Sequence, residues 1–590
     1  MISVPWPVRR GPVHLAIAHA LVVADRRDWL IIAKGPLSGR RLVGSAVATV
    51  TAVSRSGPGI AEAQLEGPLA HGLARLGLDA IVVVGAAQAR TGLIIDGFGD
   101  TVRCHRERLD HKDHKDHKDP DDPDDSDDLD APDTVWHTDA HVRESADDVV
   151  ITTGAFGIGG DTAASIVINC GFPTTQGGLG AVLGDLRLDY LVLRGDGTVP
   201  AATPVDVDVT QNYAARIADN PLTLSEKTYP GFATWPGPGL EGYAASADFS
   251  GRAGAGVRDF DPQSLMAFAV DDGSSACAEC PQWCLKSFSA DPAAPVDGGR
   301  AHQLGISAAV LLLDVSDPAT LVAVNSLCHE LGIEHLRAAE ALRGQPLHPD
   351  TLRQTLMDAI RAGGDATRPV FRVKGMPIPP FDPRGNQGLA VGYALNPTGP
   401  RYDVLEHDID FEAGQPWLDQ DRLDIDFGMP STGLLMGTLP AERRAGLGQL
   451  WLAWSAVDAL GLCEFAAPPT RELTVDAICS VVAAVEGAPF GRDDLFQLGR
   501  LRLGFLRQLN ASLGLGSDED ALPEHFFTQP VREGRLEGAV IDAGEFEDAC
   551  RQVRAVLGWN DDGGVDDDRL TRAITRASEF VWTELEGGSW

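Results

Sequence analysis

Three cysteines that fall within eight residues are the chemically most informative feature of this 590-residue sequence. Cys277, Cys280 and Cys284 have x2 and x3 spacing, which lets three thiolates take three corners of one tetrahedral or cuboidal metal site. A zinc ribbon usually adds a second CxxC pair, and the sequence contains none. The spacing therefore favours an iron–sulfur cluster over zinc, with unliganded cysteines as the remaining alternative.

A fourth ligand has to come from a distant part of the chain, and Cys463 is the candidate. It ends an apolar helical run, and Gly461 two positions earlier allows the backbone to come close to a ligand. The alternative is that Cys463 is a buried helical cysteine. The other five cysteines are isolated and are predicted to be buried small hydrophobic residues; they are Cys104, Cys170, Cys328, Cys479 and Cys550.

A second motif is the glycine-rich segment 177–184, which contains Gly178 and Gly180. A dinucleotide-binding loop would need these glycines directly between a strand and a long helix. Here a strand-like run, residues 190–194, follows within a few positions. The segment therefore predicts either a turn where the backbone approaches a ligand or a tight β connection.

The elements that must position these residues change in type along the chain. Short branched runs punctuated by glycine and proline predict strands between residues 29 and 97, and again between residues 148 and 200. From about residue 262 onwards, apolar residues at i, i+3 and i+4 spacing predict helices, interrupted by an irregular stretch at residues 375–440. Residues 110–131 hold 11 Asp and 3 Lys and are predicted to form a solvated, disordered insert.

The charge balance argues against two classes of partner. The chain has 49 Lys and Arg against 85 Asp and Glu, a formal net charge of −36. Nucleic acids and anionic membrane surfaces both require a basic face, so neither is an expected partner. No apolar run reaches the ~18 residues that a membrane span needs.

The N-terminal residues bear on localisation. The apolar run 13–24 after Arg9 and Arg10 resembles a signal peptide in outline, but it contains two histidines and is followed at once by charged residues. Clustered cysteines in a chain of this kind are typical of a reducing compartment. The prediction is a cytoplasmic protein.

Together these motifs resemble the aldehyde ferredoxin oxidoreductases, which are tungsten- or molybdenum-pterin enzymes with one [4Fe-4S] cluster. Their Cys-x2-Cys-x3-Cys motif is matched by residues 277–284, and their late Asp-x-x-Gly-Leu-Cys motif is matched by residues 458–463. The segment 177–195 is similar to the glycine-rich segment and following strand of the family, and weaker similarities extend along most of the chain. The resemblance implies that Cys277, Cys280, Cys284 and Cys463 bind the cluster.

The resemblance also implies a fold. It predicts an α+β protein with a β-rich N-terminal domain, residues 1–205, followed by two mainly α-helical domains, residues 206–400 and 401–590. The cofactor would lie at the domain interface. The residues that would contact two pterins are Asp458, Gly461, Leu462, Gly332, Glu334, Gly178 and Gly180.

Several positions depart from the family pattern. The first acid of the second pterin motif is replaced by His329, and a basic residue before the glycine-rich segment is replaced by Gln176. A glutamate that the family keeps near its substrate falls near His302, and the Gly-x-x-Gly-Glu-Asn motif has lost its acid and its amide at residues 154–159. The chain also begins late relative to the family's N-terminal strands. These departures place pterin binding in question.

Residues 397–408 lie where the family has polar active-site groups. His407 is the natural acid/base candidate because its ordinary pKa lies near neutrality, and Tyr402 and Glu406 are the other candidates. The alternative is an exposed acidic loop.

The function that the resemblance implies is oxidation of a small aldehyde-type substrate at a tungsten- or molybdenum-bis-pterin centre, with Mg²⁺ as a further cofactor. The cluster would then pass electrons singly to ferredoxin. The alternative is a non-catalytic iron–sulfur electron-transfer or scaffold protein that has lost competent pterin binding, and a structural zinc protein is a third interpretation. The sequence leaves the oligomeric state open, a homodimer included.

Overall fold

The computed structural model describes most of the chain. The described residues are 12–98, 101–109, 134–195, 197, 207–229, 249–252, 254–289, 299–364, 370–412, 418, 420–429, 435–471 and 473–587. The predicted disordered insert, residues 110–131, lies outside them.

Two sheets form the N-terminal part. The first is antiparallel with the order β3-β2-β1-β4, and its strands are β1 (Trp29–Lys34), β2 (Val47–Val53), β3 (Ile60–Glu66) and β4 (Ala80–Val84). The second has the order β6-β5-β10-β7-β8-β9, and its strands are β5 (Thr91–Phe98), β6 (Thr101–Arg108), β7 (Val149–Thr152), β8 (Val167–Ile168), β9 (Phe172–Pro173) and β10 (Leu188–Gly195). Only β5 and β10 pair in parallel in this described sheet.

Helices connect the strands and then make up most of the rest. In the first part they are α1 (Val13–Val23), α2 (Pro68–Arg75), α3 (Val135–Val142), α4 (Ala155–Ile158) and α5 (Leu179–Asp185). The middle part contains α6 (Val207–Asp219), α7 (Pro221–Thr228), α8 (Ala255–Asp259), α9 (Pro262–Met266), α10 (Gln303–Ser307), the π-helical turn Ala308–Leu312, α11 (Pro318–Leu331), α12 (His335–Leu342), the 3₁₀ turn Pro349–Thr351, α13 (Leu352–Arg361) and α14 (Gln387–Leu395).

The last part is almost entirely helical. It contains the 3₁₀ turn Asp408–Phe411, α15 (Gln420–Phe427), α16 (Ala441–Leu460), α17 (Val475–Glu486), α18 (Arg492–Ser512), the 3₁₀ turn Ser517–Glu519, α19 (His525–Thr528), α20 (Ala543–Leu557) and α21 (Asp568–Gly587). A two-stranded hairpin of β11 (Arg372–Val373) and β12 (Met376–Pro377) precedes it. The predicted α+β class, β-rich first and then mainly helical, is confirmed; the exact domain boundaries stay predictions.

Two large apolar cores hold these parts together. One core lies within the helical part and includes α16 and α17. The other lies beneath the first sheet and contains helix α1 together with side chains of α18 and α21, such as Phe505, Leu506 and Ile574. Burial of large apolar side chains is the main source of stability in such cores. The C-terminal helices therefore complete the core of the N-terminal sheet.

The structure differs from the sequence prediction at three places. Strand β3 lies within the predicted strand region 29–97, but the burial of Glu62 and Glu66, which alternate along it with the core residues Ala61, Ala63 and Leu65, was not expected. The segment expected to be irregular between residues 375 and 440 contains helices α14 and α15. The prediction that Cys104 is buried is wrong, because Cys104 lies on β6, whose eight residues are all exposed. No helix among the described residues is long and apolar enough to cross a membrane.

Candidate metal centre

The three clustered cysteines lie in a loop that the protein holds in an unusual conformation. Glu279 and Trp283, which directly precede Cys280 and Cys284, have positive φ angles of 63° and 52°. Non-glycine residues adopt this left-handed conformation at a cost, and surrounding contacts have to stabilise it. Lys286 supplies one such contact, because its Nζ donates to the Trp283 carbonyl at 2.8 Å.

Asp271 fixes the two ends of the same loop. Its Oδ1 accepts hydrogen bonds from the Gly273 N–H at 2.9 Å and the Ser287 N–H at 3.0 Å, and its Oδ2 lies 3.0 Å from Arg300. Cys277, Cys280 and Cys284 are thereby presented from one compact, anchored loop.

Cys463 is brought to this loop by the end of helix α16. The helix terminates at Gly461 in the left-handed conformation (φ 74°), and the following Cys463 N–H donates to the Gly44 carbonyl at 2.7 Å. Gly35 packs so closely on this turn that an added Cβ would lie 2.5 Å from the Gly461 nitrogen. A glycine-rich loop of the N-terminal part thus positions a cysteine of the C-terminal part.

All four predicted ligands line one cavity. Its wall consists of Cys277, Cys280, Cys284 and Cys463 together with Gly44, Ala46, Val47, Glu66, Gln282, Leu285, His302, Phe465 and Ala466. Within the described residues, no group of three or more His, Cys, Asp or Glu side chains converges to hold a single metal ion. A [4Fe-4S] cluster needs four thiolates spread around a cube rather than converging on one ion. The donor set fits such a cluster.

Burial sets the protonation state of these thiols. It raises the pKa of all four cysteines above the ordinary value, and the neighbouring thiols and Glu66 raise the pKa of Cys277 further. Backbone N–H groups of Gln282 and Trp283 donate to the Cys280 sulfur and oppose this shift. Thiols with raised pKa values bind as thiolates only when metal displaces their protons.

A second cavity adjoins the first and shares Glu66, Leu285 and His302 with it. The Tyr402 hydroxyl lies 3.3 Å from His302 Nδ1, and His302 Nε2 lies 3.5 Å from Glu66. Burial lowers the pKa of His302, but Glu66, Asp403 and Glu226 together outweigh this and the net pKa is raised. Tyr402, His302 and Glu66 form a chain of proton-exchanging groups beside the four cysteines.

The other two predicted catalytic residues have different contacts. His407 Nε2 lies 2.7 Å from the Tyr402 carbonyl oxygen, and its ring packs 4.8 Å from that of Phe381. Glu406 accepts a hydrogen bond from Thr470 and lies 3.3 Å from Arg471. Among the described side chains that line the two cavities, Tyr402 is present, whereas His407 and Glu406 are not.

Comparison with known proteins identifies the family. The model described as "Aldehyde ferredoxin oxidoreductase, N-terminal domain" matches residues 16–195, and "Aldehyde ferredoxin oxidoreductase, domains 2 & 3" matches residues 351–573. The chain belongs to the aldehyde ferredoxin oxidoreductase family.

Individual relatives agree with this assignment. The tungsten-containing aldehyde ferredoxin oxidoreductases of Pyrococcus horikoshii and Pyrococcus abyssi are each 23% identical over 495 residues, which cover 74% of this chain and 75% of theirs. Among solved structures, the active site complex BamBC of benzoyl coenzyme A reductase in complex with 1,5-dienoyl-CoA superposes with a TM-score of 0.70 at 15% identity, covering 97% of this chain and 94% of that one. The family supports oxidoreductase activity for this chain; the superposition shows the shared fold.

The two motifs that the resemblance assigned to pterin contact each lie at the end of a helix. Helix α11 ends at Gly332 (φ 63°) and helix α16 ends at Gly461 (φ 74°). The acids expected to contact pterin rings, Glu334 and Asp458, lie beside these ends, and Leu462 is fully buried. The two motifs therefore share one local geometry, a helix capped by a left-handed glycine.

Most of the residues that the resemblance assigned to pterin contact already make contacts within the protein. Glu334 Oε1 accepts the Gly178 N–H at 2.7 Å, and Gln176 donates to the Thr398 carbonyl at 3.2 Å. A Cβ at Gly332 would lie 2.5 Å from the Gly154 nitrogen, and one at Gly461 would lie 1.8 Å from Ser38 Oγ. These glycines allow close approach of the backbone to other parts of the chain rather than to a cofactor.

Gly180 shows the same pattern, because its Cβ would lie 2.6 Å from the Ser165 carbonyl oxygen. The exposed fractions are 1% for Glu334 and 8% for Asp458, so protein atoms fill the space around both carboxyl groups.

The charges in this region also oppose pterin binding, because pterin cofactors carry phosphate groups. Four acids surround two buried arginines: the buried Glu62, Asp458 and Glu464 and the partly buried Asp403 surround Arg401 and Arg502. Phosphates require a net cationic or N–H-rich site. The residues present therefore do not fit a bis-pterin centre.

The sequence interpretation missed most of this charged group. Glu62 and Glu66 lie on strand β3, where their alternation with apolar residues ordinarily indicates a solvent-facing position. Arg401 and Asp403 lie inside the polar segment 397–408, whose predicted acid/base residue was His407. Arg502 lies within the predicted helix α18, where arginine ordinarily faces solvent.

The substitution Glu334→Gln tests how this buried carboxyl contributes to stability. Burial raises its pKa from 4.5 to about 8, although the Gly178 N–H acts in the opposite direction. Because the folded chain keeps this proton at pH values where the unfolded chain releases it, the stability from Glu334 is lost as pH rises towards 8. Glutamine cannot ionise, so Glu334→Gln should gain about 2–4 °C in thermal midpoint over the parent at high pH.

The measurement is a series of thermal unfolding curves from about pH 5 to about pH 9. A matched control is Glu330→Gln, four positions before Glu334, which removes a partly exposed carboxylate that pairs with Arg353. Parallel pH profiles of the thermal midpoint for Glu334→Gln and the parent would contradict the raised pKa of Glu334.

Proposed function

We propose that this chain is an iron–sulfur oxidoreductase in which Cys277, Cys280, Cys284 and Cys463 hold one [4Fe-4S] cluster that exchanges single electrons with a ferredoxin. The observation that supports the proposal is the convergence of all four cysteines on one cavity. The anchored loop supplies three ligands in the spacing of the family, and the α16 end supplies the fourth. The cluster supplies one-electron chemistry; the chain supplies its ligands and screens them from bulk water.

Residues beside the cluster are suited to proton movement. Tyr402 and His302 are within hydrogen-bond distance, and His302 in turn faces Glu66. A proton can be held at His302 Nε2 by the Glu66 carboxylate and passed through the Tyr402 hydroxyl. We assign Tyr402, rather than His407 or Glu406, as the acid/base candidate for a substrate in the second cavity.

A second candidate is the full family reaction, oxidation of an aldehyde-type substrate at a tungsten- or molybdenum-bis-pterin centre that includes Mg²⁺. Its support is family membership and one specific observation. Asp458 Oδ1 is buried and has no hydrogen-bond partner among the described residues, so it could accept a pterin ring N–H. Against it stand the protein-filled surroundings of Glu334 and the acidic character of the region.

Metal analysis of anaerobically purified protein separates the candidates. The proposal expects about 4 iron atoms per chain with cluster absorbance and neither tungsten nor molybdenum. Tungsten or molybdenum in addition to iron would overturn it in favour of the second candidate. Zinc alone, without visible absorbance, would overturn both in favour of a structural zinc protein.

The proposed electron exchange with a ferredoxin can be tested separately. Because the chain carries a net charge of −36, an acidic ferredoxin should be repelled at low salt, and added salt should accelerate its reduction or oxidation until screening is complete. A rate that falls steadily with added salt would contradict this repulsion.

We place the protein in the cytoplasm, where reduced cysteines persist.

A further inference from the structure

Six charged residues, five of them buried, form a network between the N-terminal sheet and the C-terminal helices. This interdomain ion network consists of Glu62, Arg401, Asp403, Asp458, Glu464 and Arg502. It lies next to Cys463 and the α16 end, in the region where the family resemblance would place pterin contacts. The network therefore occupies space that matters for cofactor binding.

Arg502 of helix α18 is the first of the two cationic centres of the interdomain ion network. Its Nη2 donates to Glu62 of strand β3 and lies 3.1 Å from Asp458 of helix α16. Glu62 also lies 3.1 Å from His14 of helix α1. One guanidinium thus joins elements that are 440 positions apart in the sequence.

Arg401 is the second centre. It binds Asp403 with two hydrogen bonds of 2.9 and 2.6 Å, which is the forked geometry of an arginine–carboxylate pair. It also lies 3.7 Å from Glu464 and 3.8 Å from Asp458. Arg401 further approaches Glu62 to 3.8 Å, so the two centres share two acids.

The network is largely buried and partly ionised. The exposed fractions of its two arginines are 6% for Arg401 and 3% for Arg502. Burial would raise the pKa of Glu62, but Arg502, His14 and Arg401 hold it at about 2, so this acid stays charged. Buried charges of this kind persist only when each has a partner, and loss of one partner is strongly destabilising.

We propose that the interdomain ion network takes the structural place of the family's pterin cofactor, so that this chain reaches its folded, cluster-loaded state without any pterin. In a protein whose halves meet at a cofactor, the cofactor contributes its binding free energy to folding. Here ion pairs join the N-terminal sheet directly to the C-terminal helices. The ends of helices α11 and α16 also pack closely on other parts of the chain at Gly332 and Gly461. This inference rests on the proposed function in so far as the cluster is retained.

The test is to produce the full-length chain in a bacterial host that cannot synthesise molybdopterin and in the same host with the pathway restored. An endogenous molybdopterin enzyme of that host reports whether pterin is available. The expected result is equal iron content, equal cluster absorbance and equal thermal midpoints for the two preparations. Oxidative extraction should release no fluorescent pterin from either.

Two results would overturn the inference. One is a lower thermal midpoint or lower iron content in the pterin-deficient host, and the other is release of about two pterins per chain from the restored host, as a bis-pterin centre requires. Iron that is absent from both preparations would refute the proposed function instead, so the two failures are distinguishable.

The variant Arg401→Lys supplies a second readout. It keeps the charge but loses the two-pronged pairing with Asp403, so its midpoint should fall by the same amount in both hosts. Rescue of Arg401→Lys by restored pterin synthesis would show that pterin occupies this region and would overturn the inference.

Discussion

Replacement of Cys280 by serine is expected to abolish cluster binding. The iron content should fall from about 4 atoms per chain to near zero, and the visible absorbance should disappear with it. Cys280 lies in the middle of the anchored loop, and its sulfur accepts two backbone N–H groups that orient it towards the cavity. A serine hydroxyl is a poor ligand for iron at neutral pH and cannot replace the thiolate.

Cys328→Ser is the matched control. Cys328 is fully buried in helix α11 and is remote in sequence from the cluster motif, so its loss should leave the iron content unchanged. Measurement of iron and absorbance on both variants, purified anaerobically, compares a ligand with a structural cysteine. A Cys280→Ser protein with the parent's spectrum would refute the ligand assignment.

Replacement of Arg502 by methionine is expected to cost about 3–5 kcal/mol of unfolding free energy. The change leaves Glu62 and Asp458 buried without their common guanidinium partner. Methionine fills a similar volume, so the loss reports the uncompensated charges rather than a cavity. Urea unfolding followed by circular dichroism measures the effect.

Arg572→Met is the surface control for Arg502→Met. Its ion pair with Asp568 has exposed side-chain fractions of 60% and 96%, and such a pair contributes less than about 1 kcal/mol. Adding Glu62→Gln to Arg502→Met should recover part of the loss, because it removes one unpaired buried carboxylate. Equal losses for Arg502→Met and Arg572→Met would show that the network does not stabilise the fold.

Local patterns predicted much of the fold. Helices α16, α17 and α18 follow from apolar periodicity, and strands β1, β4 and β10 follow from short branched runs. Strand β3 has the same alternation, but the burial of Glu62 and Glu66 did not follow from it, because a half-buried strand ordinarily turns its polar face to solvent. The reason for those acids lies in arginines of distant elements, and no local pattern contains that information.

Some residues of the candidate site could likewise be predicted from sequence, and others could not. The spacing of Cys277, Cys280 and Cys284 is local, so their grouping could be predicted from sequence, and Cys463 could be added through the family motif. The choice between Tyr402 and His407 depends on which side chain faces the cavity, and that is decided by packing against Phe381 and Phe465. Contacts at large sequence separation, such as Glu62 with Arg502, become visible only in the folded chain.

The packing of helices α18 and α21 beneath the first sheet also sets an order of events during biosynthesis. The N-terminal strands leave the ribosome first, but the side chains that complete their core, up to Ala577, are among the last to be made. At ordinary elongation rates the sheet waits roughly 25–100 s for these helices. The fourth cluster ligand is likewise translated well after the first three, so a cluster with all four ligands can form only after Cys463 has been made.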